Sequence, residues 1–188
     1  GFEVTPDVTA GLPFTRNSGR AGVAIPDSFV PRRDTIMRYR FVDKIIALEP
    51  GHSIECQRIW PQELEIFADH FPDFPVVPGV LLTEMMGQAA GLCLSSRTGE
   101  HNAAMLIQIK NAIFRDWVKP AELLTIRAKI LSSRSRLARI EASTERDGTE
   151  VASTELLFAF ESNDKLGLPD TDPLLADFWN RAGAGSGA

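Results

Sequence analysis

Pro78-Gly-Val-Leu-Leu-Thr-Glu-Met-Met-Gly-Gln-Ala-Ala-Gly-Leu-Cys-Leu-Ser95 decides how this chain folds. Pro78 suits a first helical turn, Met, Leu, Gln and Ala are good helix formers, and Arg97 followed by Gly99 marks an end. The composition predicts a helix that is apolar nearly all round. Such a helix cannot face water and has to be wrapped by other elements. A lone carboxylate, Glu84, stands inside the run among Val80, Leu81, Leu82, Met85, Met86, Ala89 and Ala90. Burying a charge is costly unless something uses or satisfies it, so Glu84 is either chemistry or a hydrogen-bonded core residue. An imidazole precedes the run in His70-Phe-Pro-Asp-Phe-Pro-Val-Val-Pro-Gly79, and His70 with Glu84 reads as a candidate base and acid.

The wrapping material is strand. Ile36 to Ala47, Ser53 to Ile59 and Met105 to Phe114 are β-rich segments, the first closed by Glu49-Pro-Gly51. In Leu124-Thr-Ile-Arg-Ala-Lys-Ile130 the apolar residues alternate with polar ones, the period-2 signature of a strand with one buried face. Arg136 to Thr144 and Val151 to Phe160 repeat it, and Asp147-Gly148 between them suits a tight hairpin. The expected architecture is α+β, a long central helix in a curved antiparallel sheet of about six strands. Residues 1–33 and 163–188 read as an N-terminal arm and a C-terminal tail around a domain at 34–162. In the tail, Asp172-Pro-Leu-Leu-Ala-Asp-Phe-Trp179 suits a short amphipathic turn, and the end from Arg181 is low-complexity and expected to be disordered.

Composition narrows the function. A length of 188 residues with 44% hydrophobic content fits one domain with a real core, and a net charge of -5 argues against nucleic acid as the main partner. Cys56 and Cys93 form neither a disulfide framework nor a CxxC metal spacing, so both are expected reduced, in cytoplasm. The first thirty residues hold no continuous apolar segment of the secretion-signal kind. Val80 to Leu94 is short of the ~20 residues a membrane span needs and contains Thr83, Glu84 and Gln88, so no membrane span is expected.

These residues resemble the 3-hydroxyacyl-[acyl-carrier-protein] dehydratases of the FabZ type, which have the hotdog fold. The resemblance runs from about residue 34 to 162 through Arg40-Phe-Val-Asp-Lys44, the His70-Phe-Pro-x-x-Pro-x-x-Pro-Gly-Val-Leu element with Glu84 and Gln88, Lys110-Asn-Ala-Ile-Phe114 and Val118-Lys-Pro120. It implies that His70 takes the C2 proton of a 3-hydroxyacyl thioester and that Glu84 helps the C3 hydroxyl leave as water. It implies an oxyanion donor at Gly79, substrate contact at Val80 beside it, and no metal or redox cofactor. Gln88, one turn beyond Glu84, could orient it. The substrate would be carried by acyl-carrier protein or coenzyme A, and the acid/base pair would be completed across a homodimer, within a possible trimer of dimers. Rival expectations are a hotdog thioesterase and a non-catalytic acyl-binding protein.

The chain departs from the family pattern at Asp69 and Asp73, where Gly is usual, and at Phe74, where a second His is common. Carboxylates beside an imidazole favour its charged form unless they point to solvent. His52 and His101 read as loop residues without a role. The stripe Arg127, Lys129, Arg134, Arg136 and Arg139 reads first as a solvated strand face and second as a dock for an acidic carrier, with Arg115 and Lys119 as alternative points.

Overall fold

A computed structural model describes residues 39–97, 102–168 and 172–184. The N-terminal arm, the start of the expected first strand at 36–38, His101 and residues 185–188 of the low-complexity end lie outside them.

Six strands, β1 (Lys44–Glu49), β2 (Ser53–Ile59), β3 (Asn102–Phe114), β4 (Leu123–Arg134), β5 (Leu137–Arg146) and β6 (Thr149–Ser162), form one antiparallel sheet in the order β1-β2-β4-β5-β6-β3. Among the described residues four helices accompany them: α1 (Ile66–Asp69), α2 (Gly79–Ser95), α3 (Asn163–Leu166) and α4 (Pro173–Ala184). Alternation puts Leu124, Ile126 and Ala128 of β4 and Ala138, Ile140 and Ala142 of β5 on the buried face. Against that face lie Leu82, Met85, Met86, Ala89, Ala90 and Cys93 of α2. The sheet bends round the helix with help from register shifts in every strand pairing except β2–β4, because a bulge kinks its strand and increases the local twist. Asp147 and Gly148 both adopt positive φ, 51° and 76°, which closes the β5–β6 hairpin.

The first strand begins later than its sequence suggests. Residues 39–43 are not strand; the Phe41 N–H and the Tyr39 carbonyl instead bond the side-chain amide of Gln88. Phe41 is buried with its ring 4.9 Å from that of Trp60, and at the end of the segment the Asp43 N–H donates to the Gln57 carbonyl of β2 at 3.0 Å, so packing, α2 and one bond to β2 fix it.

The two sheet edges differ. α4 packs beside β1, with Leu175 buried and Asp172 accepting the Leu174 N–H at 2.8 Å as the helix starts. β3 is the other edge, and Met105, Leu106, Ile107, Ile109, Ile113 and Phe114 along it are all more than a third exposed. On the outward face, Arg127 pairs with Glu55 and Glu145, and Arg139 with Glu155. Two of the five basic residues of the stripe are therefore paired within the sheet.

Candidate active site

His70 ends the one-turn helix α1, which is anchored by buried Phe67. Its backbone N–H donates to the Ile66 carbonyl at 3.0 Å, and its carbonyl accepts the Val76 N–H at 3.1 Å. The His70–Phe71 peptide is cis, and the turn after it closes through reciprocal backbone bonds between Phe71 and Phe74. The imidazole Nδ1 lies 3.2 Å from the Val76 carbonyl oxygen. A carbonyl can only accept, so Nδ1 carries the proton, and the neutral ring keeps its lone pair on Nε2. The Phe71 ring stacks on the imidazole with centroids 4.4 Å apart.

Glu84 lies on α2 and is half-buried, not sealed in the core as the apolar run suggests. The reason is that α2 leaves one stripe partly open, Leu81, Glu84, Gln88 and Gly91, while its other faces are buried. Gln88 Nε2 donates to Glu84 Oε1 at 3.1 Å and to the Tyr39 carbonyl at 3.0 Å, and Gln88 Oε1 accepts the Phe41 N–H at 2.7 Å. The Phe41 donor fixes which end of the amide is oxygen, so the end facing Glu84 is the donor. Among the described residues nothing else bonds the Glu84 carboxyl, which leaves Oε2 without a partner there.

Gly79 and Val80 open α2. The Leu81 and Leu82 amides both reach the Pro78 carbonyl, at 2.9 and 3.3 Å, whereas the two amides before them have no carbonyl one turn back within the helix. Two N–H groups at the positive end of a 17-residue helix can stabilise developing negative charge. The absence of a side chain at Gly79 has a local cause: a Cβ there would stand 3.0 Å from the Phe114 ring. Val80 is 73% exposed at the same end.

Within one protomer the described residues show no hydrogen bond between His70 and Glu84. Glu84 and Gln88 meet; His70 sits in the preceding loop. Asp69 and Asp73 are exposed, and neither bonds the imidazole. Phe74 packs edge-on against Trp117 at 6.5 Å, with Lys119 over its ring at 5.6 Å. His52 is an exposed turn residue whose N–H donates to the Glu49 carbonyl. Sequence reasoning missed the Val76 carbonyl and the Tyr39 and Phe41 backbone, since a main-chain partner leaves no mark on residue identity. Phe114 stood inside the matched Lys110–Phe114 segment, but nothing there linked it to Gly79.

The ApeI-like dehydratase family matches residues 47–155. The chain is 33% identical over 138 residues, 73% of its length and 91% of the relative's, to a 3-hydroxyacyl-[acyl-carrier-protein] dehydratase FabZ of Levilactobacillus brevis. It is 36% identical over 124 residues, 64% of its length and 76% of the relative's, to the enzyme of that name from Solibacter usitatus. Solved structures of the same hotdog fold include a conserved protein of Pseudomonas aeruginosa, with TM-score 0.52, 19% identity and coverage of 63% of this chain and 87% of that one. A hypothetical thioesterase from Streptococcus pneumoniae, solved with coenzyme A, superposes with TM-score 0.52 at 12% identity over 63% of this chain and 88% of that one. Those two share the fold; the sequence relatives share the family. With its helix-borne Glu84 and loop-borne His70 inside the matched span, the chain belongs to the ApeI-like dehydratase family of hotdog proteins.

Proposed function

We propose that this protein dehydrates 3-hydroxyacyl thioesters, carried by acyl-carrier protein, to trans-2-enoyl thioesters in the cytoplasm. His70 Nε2 takes the C2 proton, and the freed electron pair passes into the thioester carbonyl, whose oxygen is held by the Gly79 N–H with Val80 beside it. The pair then returns to form the C2–C3 double bond as the C3–O bond breaks. Glu84 gives its proton to the departing hydroxyl, which leaves as water. The elimination is redox-neutral. The observation that carries this reading is that both groups are fixed through one atom and open at the other: Val76 occupies His70 Nδ1, and Gln88 occupies Glu84 Oε1. General acid and base groups need that combination of fixed geometry and a free reacting atom.

The working unit is a homodimer in which His70 of one protomer faces Glu84 of the other. The long, apolar, open edge of β3 supports this, because an exposed edge strand of 13 residues is a template for pairing with a second copy. Hydration of a crotonyl thioester, on coenzyme A and on carrier protein, tests the proposal through the reverse reaction. Turnover should fall at least ~100-fold in His70→Ala and in Glu84→Gln while both stay folded. Release of free thiol in place of hydration would identify a thioesterase. Tight binding without either reaction would identify an acyl-binding protein.

A further inference from the structure

The loop that joins β3 to β4, residues 115–122, touches the His70 loop at Phe74 and, among the described residues, is hydrogen-bonded to it once: the Val77 N–H donates to the Val118 carbonyl at 2.7 Å. Val77 N–H and Val76 C=O belong to the same planar peptide unit. One face of that unit is therefore held by Val118, and the other presents its oxygen to His70 Nδ1 at 3.2 Å. A rotation of the 115–122 loop would tilt this plane and move the acceptor that sets the imidazole tautomer. An acceptor bonded at the N–H end also polarises the carbonyl, which strengthens its hold on the ring.

The 115–122 loop is in turn gathered by one side chain. Arg146, at the end of β5, donates from Nη1 to the Trp117 carbonyl at 2.8 Å and to Glu122 Oε2 at 3.1 Å, and from Nη2 to Asp116 Oδ2. Both carboxylates also cap loop amides: Asp116 Oδ1 accepts the Trp117 N–H at 2.8 Å, and Glu122 Oε2 accepts the Lys119 N–H at 2.9 Å. The Trp117 amide and then the Arg146 guanidinium hold the Asp116 carboxyl below its usual range, so it stays charged. Ala121 sits at φ 63°, a conformation that a residue with a side chain keeps only where its surroundings impose it. The Trp117 carbonyl and the Val118 carbonyl are successive peptide units, so a guanidinium on the first restrains the second.

We propose that Arg146 is a positioning residue for His70, acting through the 115–122 loop and the Val76–Val77 peptide. Its fork suits the task, because a planar guanidinium can hold a carbonyl and two carboxylates in fixed directions where an ammonium cannot. The proposal rests on the reading of His70 as the base.

Two readouts test it. With nitrogen-15-labelled histidine, the His70 ring, assigned by its absence in His70→Asn, should be protonated at Nδ1 alone in the neutral wild-type ring and at a mixture of both nitrogens in Arg146→Gln. Turnover of the crotonyl thioester by Arg146→Gln should fall ~10- to 100-fold in kcat with KM within ~3-fold, as misplacement of a reacting group would give. Arg146→Lys should recover part of it. If Arg146→Gln does not fold, Asp116→Ala with Glu122→Ala removes the two carboxylate bonds from the loop side, keeps the one to the Trp117 carbonyl, and should give the same pattern in weaker form. Unchanged Nδ1 protonation, or a kcat within ~2-fold of wild type in a folded variant, overturns the positioning role alone. A His70→Asn variant that keeps full turnover overturns the base assignment beneath it. In the His70→Asn background, Arg146→Gln should cost nothing further, and an independent loss there would overturn the route through His70.

Discussion

Gln88 holds Glu84 with one end of its amide, at 3.1 Å, while the other end is bonded at 2.7 Å to the Phe41 N–H. The amide therefore cannot flip, and Glu84 always meets a donor. Replacing Gln88 by Leu removes that donor and leaves the part-buried Phe41 N–H without its acceptor. The expected outcome is a kcat about 10- to 100-fold lower and a stability loss of about 1–3 kcal/mol, read from crotonyl-thioester kinetics and urea unfolding. Gln88→Glu keeps an acceptor for Phe41 yet faces Glu84 with a second carboxylate. It should lose turnover with a smaller stability loss, and equal stability losses in the two variants would remove Phe41 from the account.

A shared site makes a further prediction about mixtures. Inactive His70→Ala and inactive Glu84→Gln proteins, unfolded together and refolded, should regain about a quarter of wild-type activity, because half the dimers are mixed and each mixed dimer has one intact site. A mixture as inactive as its components would place the whole pair within one protomer.

The β3 edge should be the seam of that dimer. Ile107 and Ile109 are 54% and 49% exposed on it. Ile107→Lys with Ile109→Lys should yield monomers in sedimentation velocity and abolish turnover, since charge on an edge strand blocks strand-to-strand pairing. An active monomer would contradict both the seam and the shared site.

Gly79 has less room than its helical backbone alone requires. Ala at this position would gain up to about 1 kcal/mol of helix propensity and incur about 1–3 kcal/mol of overpacking against the Phe114 ring, so a modest net loss is expected. Gly79→Ala combined with Phe114→Leu, which removes the ring, should recover stability. A Gly79→Ala protein as stable and active as wild type would show that the ring moves aside freely.

Alkaline titration should expose the two thiols. Burial, above other causes, pushes Cys56 up to about 12 and Cys93 up to about 11, from an ordinary value of 9.0. In the folded state both stay neutral while the unfolded chain ionises, so their contribution to stability is complete below pH 9.0 and is lost as pH rises from there towards 11 and 12. Unfolding midpoints of wild type should decline over that window more steeply than those of Cys56→Ala with Cys93→Ala. Thiol reagents should leave the native protein unmodified below it.

The sequence by itself determined the helix and five strands within a few residues of their ends. A helix apolar nearly all round has one solution in water, and the alternation in β4, β5 and β6 states which side of each strand meets it. The identities of His70, Glu84, Gly79, Val80 and Gln88 as candidates were legible too, since chemistry-bearing types stood in a matched pattern. The first strand was misjudged because Ile36 to Ala47 has strand-like residues, whereas the backbone at Tyr39 and Phe41 is satisfied by a side chain 47 positions on from Phe41.

Only the tertiary structure decided what surrounds those candidates. That Asp69 and Asp73 face solvent, that Phe114 fills the space over Gly79, and that Val76 fixes the His70 tautomer are facts about groups far apart in sequence or about main-chain atoms. Residue identity records the chemistry a side chain can perform and the face it prefers. The partner that holds it is set by how the chain returns on itself, and a backbone carbonyl is the same group in every residue.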